Sequence, residues 1–197
     1  MTKNNIISPH QFGFRKGRST EIALILFLND IYNNCNNDSL TLSVFIDFSK
    51  AFDSINHRIL LKKLAIYGIR GIPLNWFESY LSNRQQYVQI NSSASSPKFV
   101  CSGVPQGSIL GPLLFIIFIN DIVHSAPNSN FIIYADDTTV YNCSKNINLL
   151  FFNMNLHLKI INDWAIDNRL PINTKKTKYM LFNYKKNFND FSSNAIL

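Results

Sequence analysis

The sequence predicts an α+β domain in which strands and helices mix without the regular strand–helix alternation of a parallel sheet. Its length of 197 residues is typical of one domain. Hydrophobic residues make up 46% and charged residues 16%, so the chain can bury a sizeable core and is not disordered by composition. Apolar residues at helical spacing in some segments, and alternation with period two in others, then predict the elements one by one.

The first two elements are a helix and a strand. Residues 22–28 are apolar and follow two candidate N-caps, Ser19 and Thr20, so we expect a buried helix there. Residues 41–47 alternate between two faces and predict a strand whose last residue is a carboxylate, Asp47.

Two helices and a hairpin follow. Apolar residues at helical spacing between 55 and 64 predict a helix that Gly68 ends as a C-cap. Pro73 suits the first turn of a further helix. Alternation at 88–90, and strand-forming residues again at 99–102 after a Ser-rich loop, predict the hairpin.

The second half of the chain begins with a helix that is apolar on all sides from Pro112 to Ile119, so it should lie between two layers. The remaining predicted elements are a second hairpin (131–134 and 138–141), a long amphipathic helix (147–165) and two last strands (170–172 and 179–182). The tail after Lys185 is expected to be frayed.

Charge and cysteine content narrow the class of protein. Nineteen Lys and Arg against twelve Asp and Glu give a net charge of +7, which favours a polyanionic partner such as nucleic acid or an anionic membrane surface. The three cysteines are far apart and without zinc-site spacing, so we expect neither a disulfide framework nor a zinc site. The N-terminus lacks the pattern of a signal peptide, and the longest uncharged apolar run is too short to span a bilayer, so an intracellular protein is expected.

Two adjacent carboxylates, Asp136 and Asp137, stand in an otherwise apolar hairpin. Partly buried, they would repel each other and lose hydration, and a bound divalent cation would offset that cost. The alternative is an ordinary turn, in which Asp is common. Strand-forming residues on both sides, with neither Gly nor Asn at the apex, favour the cation site.

A third carboxylate, Asp47, ends a separate predicted strand, and for it the alternative is a cap of the following helix. We interpret Asp53 as such a cap. An Asp at a strand end together with a hairpin Asp pair is what two-metal phosphoryl transfer requires, and their hard oxygen ligands suit Mg²⁺.

Three blocks in order resemble successive motifs of reverse transcriptases: residues 45–53 (FIDFSKAFD), 103–112 (GVPQGSILGP) and 134–137 (YADD). Residues 11–20 (QFGFRKGRST) and the segment from Trp76 to Arg84 are similar to further blocks. The sequence most resembles enzymes of non-LTR (LINE-like, jockey-type) retrotransposons, over about residues 8 to 184. The resemblance implies a polymerase palm with an antiparallel sheet, partial fingers over about 1–38, palm over about 39–184, a tail at 185–197 and no thumb.

The resemblance also implies roles for single residues. The metal-binding triad would be Asp47, Asp136 and Asp137, with the Phe48 carbonyl as a further ligand. The other implied site residues are Phe52, which would exclude a ribose 2′-OH, Gln106 and Gly107 in a loop against the nucleotide and template, Arg15 and Lys176. Arg15 lies in a basic cluster with Lys16 and Arg18 that contacts phosphates or is simply solvated. Lys176 would protonate pyrophosphate, contact the template or be solvated.

The implied reaction is attack of a primer 3′-OH on the α-phosphate of a dNTP, directed by an RNA template, with two Mg²⁺ ions for which Mn²⁺ can substitute. The implied partners are an RNA template, a DNA primer and dNTPs, without a membrane, and the implied location is cytoplasm and nucleus. Autonomous activity is a separate matter, because a polymerase without a thumb should hold primer–template poorly. The main alternative is a truncated, non-catalytic remnant that folds and binds nucleic acid through its basic surface. A metal-dependent nuclease using the same carboxylates is a third, less favoured interpretation.

Overall fold

A computed structural model describes residues 6–183, and it confirms the predicted α+β class. The elements in chain order are α1 (Thr20–Asn36), β1 (Leu40–Ile46), α2 (His57–Ile66), α3 (Ile72–Leu81), β2 (Gln85–Gln86), β3 (Gln89–Ile90), β4 (Ser93–Ala94), β5 (Lys98–Phe99), α4 (Leu110–Ile119), α5 (Ile122–Ser125), β6 (Asn130–Tyr134), β7 (Asp137–Ser144), α6 (Ile147–Asp167) and β8 (Lys178–Phe182). The prediction for the tail after Lys185 lies outside the described residues.

The main sheet has the strand order β6-β7-β1-β8 in the described part of the chain, and neighbouring strands are antiparallel. β1 is an inner strand with both faces covered. The face that carries Leu42, Val44 and Ile46 joins the large core, which α6 covers. The face that carries Phe45 joins a smaller cluster with Phe27 of α1. The alternation predicted for this segment therefore separates two cores.

α4 is the centre of the large core. Its apolar residues from Leu114 to Ile119 are all buried, as the sequence predicts for a helix apolar on every side. α2 packs against α4, and the sheet contributes to the same core from β1, β6 and β7.

The prediction that 22–28 is a buried helix is wrong in its burial. α1 does begin after Ser19, whose hydroxyl accepts the Ile22 backbone N–H, but its buried residues in the described structure are Ala23, Phe27 and Ile31. These residues recur every four positions, because a single stripe of the helix packs on the sheet. The other apolar residues of the run are exposed: Ile22, Leu24, Ile25, Leu26 and Leu28.

The other sequence-predicted elements differ mainly in extent. Residues 170–172 do not form a strand; Ile172 makes an isolated bridge to Phe48, and the neighbouring Pro171 has no N–H to give a ladder. The predicted pairing of 88–90 with 99–102 is wrong: β3 pairs with β4 and β5 pairs with β2, in two short exposed pieces. The second hairpin, β6–β7, matches its prediction.

Candidate active site

Antiparallel pairing brings the three predicted carboxylates to one end of the sheet. The last residue of β1, Ile46, pairs with Thr138 of β7, so Asp47 follows directly at the point where β7 begins. Asp137 is the first residue of β7, and Asp136 precedes it in the turn from β6. Segments far apart in the sequence thus place their acids side by side.

The carboxylates influence one another electrostatically. Burial raises the pKa of Asp137, and the negative charges of Asp136 and Asp47 raise this pKa further. A cation between these groups would relieve the repulsion, and their hard oxygen atoms are ligands that suit Mg²⁺. The donor set therefore fits a divalent ion in its chemistry. Within residues 6–183, no three His, Cys, Asp or Glu side chains form a ready-made metal-binding group.

An open cavity of about 520 Å³ lies in front of this end of the sheet. Six of the nine predicted site residues line it: Asp47, Phe48, Phe52, Gln106, Asp136 and Lys176. The lining also includes Lys50, Asp53 and Asn173, for which the sequence pattern predicts no role in the cavity. Asp137, Gly107 and Arg15 are not part of the lining.

Backbone contacts fix Asp47 and the segment that carries Lys176. The Asp47 carbonyl accepts the Asn173 N–H at 2.7 Å, and the Asp47 N–H donates to the Thr177 hydroxyl at 3.3 Å. The Ser49 N–H donates to the Pro171 carbonyl at 2.8 Å. The end of β1 is therefore tied to residues 171–177, which brings Lys176 to the cavity.

Phe52 lies in the short 3₁₀ turn Ala51–Asp53 that follows β1, and it is held from behind. Its ring stacks on Phe115 of α4, with centroids 4.3 Å apart and planes at 20°. Its carbonyl accepts the Val104 N–H at 2.9 Å. Because one face of the Phe52 ring packs on Phe115 in the core, the position of the ring at the edge of the cavity is fixed.

The loop with Gln106 packs directly on this turn. At Gly103, where φ is +85°, a Cβ atom would come within 2.7 Å of the Asp53 Cα. The Gly103 N–H donates to the Ile55 carbonyl at 2.8 Å. Glycine is required here both for the left-handed backbone and for the close approach. The turn that carries Phe52 and the loop that carries Gln106 are therefore joined by backbone contacts.

The interpretation of Asp53 as a helix cap is wrong. Asn56 caps α2, because its side-chain oxygen accepts the Ile59 N–H at 3.1 Å. The Asp53 carboxylate instead accepts the Gln106 side-chain amide at 2.9 Å. The two residues are 53 positions apart, so local patterns of capping could not reveal this contact.

A second cavity of about 450 Å³ adjoins the first and shares Asp53 and Gln106 with it. Arg84 contributes a cation to this second cavity, and its guanidinium lies 5.4 Å from the Tyr80 ring centroid. The hydrogen bond between Asp53 and Gln106 therefore lies where the two cavities meet.

Arg15 is engaged with the backbone near the N-terminus. Its guanidinium donates to the carbonyls of Ser8 at 2.6 Å and Gln11 at 3.1 Å. The neighbouring Arg18 lies over the Phe12 ring at 4.9 Å.

Gly107 follows Gln106 in the loop, exposed and with a φ of +80°. None of the helices within residues 6–183 has the length and apolar character needed to cross a membrane.

Comparison with known proteins finds a matching family and several relatives. The sequence model of the family described as "Reverse transcriptase (RNA-dependent DNA polymerase)" matches residues 1–191. The probable RNA-directed DNA polymerase from transposon BS of Drosophila melanogaster is 31% identical over 94% of this chain and 21% of its own length. The RNA-directed DNA polymerase from mobile element jockey of the same species is 31% identical over 89% of this chain and 20% of its own length. The chain thus spans about a fifth of these relatives.

Solved structures share the fold. The apo telomerase of Candida tropicalis truncated from its C-terminal domain superposes with a TM-score of 0.66 at 14% identity, covering 90% of this chain and 37% of that one. The telomerase of the same species in complex with the TWJ fragment of telomeric RNA gives a TM-score of 0.62 at 13% identity, covering 87% and 30%. At such identity the likeness concerns the arrangement of helices and strands alone.

Proposed function

Because this chain belongs to the reverse transcriptase family, we propose that it forms the catalytic palm of a non-LTR retrotransposon RNA-directed DNA polymerase. The proposed reaction joins a dNTP to a primer 3′-OH along an RNA template and releases pyrophosphate. The proposed partners are therefore an RNA template, a DNA primer and dNTPs, and the proposed places of action are cytoplasm and nucleus. The named activities of the relatives belong to proteins about five times as long.

The observation that carries this proposal is the convergence of Asp47 and Asp136 on one cavity together with Phe52 and Gln106. We assign Asp47, Asp136 and Asp137, with the Phe48 carbonyl, as the groups that hold divalent ions, Mg²⁺ or its substitute Mn²⁺. Bound ions of this kind would lower the pKa of the attacking hydroxyl and stabilise the charge on the leaving group. The raised pKa of Asp137 supports the assignment, since a cation would relieve the repulsion that raises it.

The roles proposed for Phe52, Gln106 and Lys176 follow from their position in the cavity. Phe52, stacked on Phe115, would press against the sugar of the incoming nucleotide and exclude a 2′-OH. Gln106 offers an amide that both donates and accepts hydrogen bonds to the nucleotide or template. Lys176 lines the same cavity and would neutralise phosphate charge there. Gly107 and Arg15 lie off the lining. For Gly107 we propose that it supports the loop, and for Arg15 that it contacts the template backbone.

Primer extension tests the proposal. The parent chain is incubated with an annealed RNA template and DNA primer, dNTPs and Mg²⁺, and is compared with Asp136→Asn. The matched control is Asp163→Asn, an exposed acid on α6 away from the cavity. We expect extension by the parent and the control, and a loss of about 10³-fold or more in Asp136→Asn, since several kcal/mol of charge stabilisation are removed.

A binding measurement complements the activity. Mg²⁺ or Mn²⁺ should raise the melting temperature of the parent and of Asp163→Asn, but not that of Asp47→Asn or Asp136→Asn. A metal-induced shift that survives both site substitutions would contradict the metal assignment. Equal extension by the parent and Asp136→Asn would contradict the proposed polymerase site, and cleavage of a labelled duplex without dNTPs would indicate a nuclease instead.

A further inference from the structure

We propose that Gln11 is a positioning residue of this active site, which fixes the backbone of Ala135 and thereby sets where the Asp136 carboxylate stands. The inference rests on the proposed function, because it assigns Gln11 a part in the same reaction. Gln11 does not line the cavity, so its effect would pass through the turn that carries Asp136.

The Gln11 side chain is 1% exposed, and its polar atoms form hydrogen bonds to the backbone of two residues. Its Oε1 accepts the N–H of Ala135 at 2.9 Å and the N–H of Gly13 at 2.8 Å. Its Nε2 donates to the Ala135 carbonyl at 3.4 Å. One side chain thus holds both polar groups of the residue that immediately precedes Asp136.

Ala135 needs such support because of its conformation. Its φ is +58°, in the left-handed region that residues with a Cβ atom rarely adopt. The residue is also buried, so water cannot satisfy its N–H and carbonyl. Without the Gln11 side chain, this turn would lose the contacts that keep Ala135 in a sparsely populated conformation.

The segment around Gln11 is itself anchored to the core. The Phe12 N–H donates to the Ile133 carbonyl at 2.7 Å, and the Ile133 N–H donates to the His10 carbonyl at 2.9 Å, so the segment runs beside β6. At Gly13, a Cβ atom would come within 2.4 Å of the Ala135 nitrogen. The segment and the turn are therefore in direct backbone contact at Gly13 and Ala135.

Three substitutions separate positioning from general stability. Gln11→Met keeps the size of the side chain but removes the oxygen that accepts two N–H groups. Gln11→Glu serves as the conservative rescue, because a carboxyl buried here beside Asp136 favours its neutral form, in which one oxygen accepts the two N–H groups and the other donates to the Ala135 carbonyl. The matched control is Asn120→Ala, which loosens the same segment at its other end, where the Asn120 Oδ1 accepts the Ser8 N–H at 2.7 Å, and does not contact Ala135.

The first readout is amide hydrogen exchange of residues 133–138 by mass spectrometry, without nucleotides. We expect faster exchange there in Gln11→Met, while α6 exchanges as in the parent, and parent-like exchange at 133–138 in Gln11→Glu and Asn120→Ala. The second readout is primer extension with kcat and KM for dNTP measured separately. Misplacing a catalytic group by about 1 Å costs about 10²-fold, so kcat of Gln11→Met should fall about 10- to 100-fold while KM changes by less than about threefold.

Parent-like exchange and kcat in Gln11→Met would overturn the inference, and so would an equal loss of kcat in Asn120→Ala. If Gln11→Met does not fold, Gln11→Asn replaces it, because its amide is one methylene too short to reach Ala135. If the parent extends no primer, the proposed function fails, and the exchange comparison still decides whether Gln11 fixes Ala135.

Discussion

Replacing Gly103 by alanine should destabilise the chain much more than the same replacement at Gly107. Both glycines have a positive φ, +85° and +80°, so both substitutions place a Cβ atom in a left-handed conformation. This conformation costs roughly 1–2 kcal/mol. At Gly107 that is the whole cost, since nothing lies within 4 Å of the added atom.

At Gly103 the added atom has no room. It would come within 2.7 Å of the Asp53 Cα, whereas ordinary contact begins at 3.4 Å, and the neighbour is backbone that cannot rotate away. Relief requires separating the loop from the turn, which weakens the hydrogen bonds from Gly103 to Ile55 at 2.8 Å and from Val104 to Phe52 at 2.9 Å. With about 1 kcal/mol for each bond added to the left-handed cost, the loss is about 3–4 kcal/mol.

Thermal unfolding checks this difference. For a chain of this size 1 kcal/mol shifts the melting temperature by about 2–4 °C, so we expect a drop of about 2–8 °C for Gly107→Ala and about 6–16 °C for Gly103→Ala. Because the Phe52 carbonyl accepts one of these weakened hydrogen bonds, Gly103→Ala should also weaken discrimination against ribonucleotides in primer extension. Equal drops for the two variants would refute the argument, since they would show that the close approach to Asp53 contributes nothing to stability.

Three further predictions concern single side chains. Phe52→Ala should lower the preference for dNTPs over rNTPs about 10- to 100-fold in single-nucleotide extension, because the stacked ring no longer blocks the 2′-OH; an unchanged preference would exclude Phe52 as the gate. Asp137→Asn should raise the melting temperature of the metal-free protein at pH 7 and leave it unchanged near pH 3. Because the pKa of Asp137 is raised in the folded state, its ionised carboxylate destabilises the fold, and this penalty grows as the pH rises above the pKa of the same group in the unfolded chain. A lower melting temperature of Asp137→Asn at pH 7 would contradict this sign. For His157, burial lowers the pKa, so stability should fall as pH drops below 6.5, and His157→Gln should show a smaller loss between pH 7 and pH 5. An equal loss in parent and variant would show that His157 does not drive it.

Local patterns were sufficient where a feature depends on neighbouring residues. Alternation at 41–47 predicted β1 and its terminal Asp47, and strand-forming residues around the Asp pair predicted the β6–β7 hairpin. A helix apolar on all sides predicted the buried α4. These signals work because periodicity reports directly which faces of an element are covered.

Burial and long-range contacts needed the tertiary structure. The apolar run at 22–28 gave a helix, but its exposure depends on what packs against it, and the sheet covers a single stripe. Asp53 was predicted to cap a helix but accepts a hydrogen bond from Gln106 instead, and this contact joins segments that are distant in the sequence. The same holds for Gln11, which lies 124 positions from Ala135 and has no periodic signal that links the two.

The sequence by itself determined the element types, the ends of strands at which the carboxylates stand, and the motifs that place the chain in its family. The tertiary structure decided which of these residues share the cavity, and which side chains contact the turn that carries Asp136 and the loop that carries Gln106. The physical reason is that secondary structure depends on interactions a few residues apart, whereas a site assembles from contacts whose partners the chain order does not reveal.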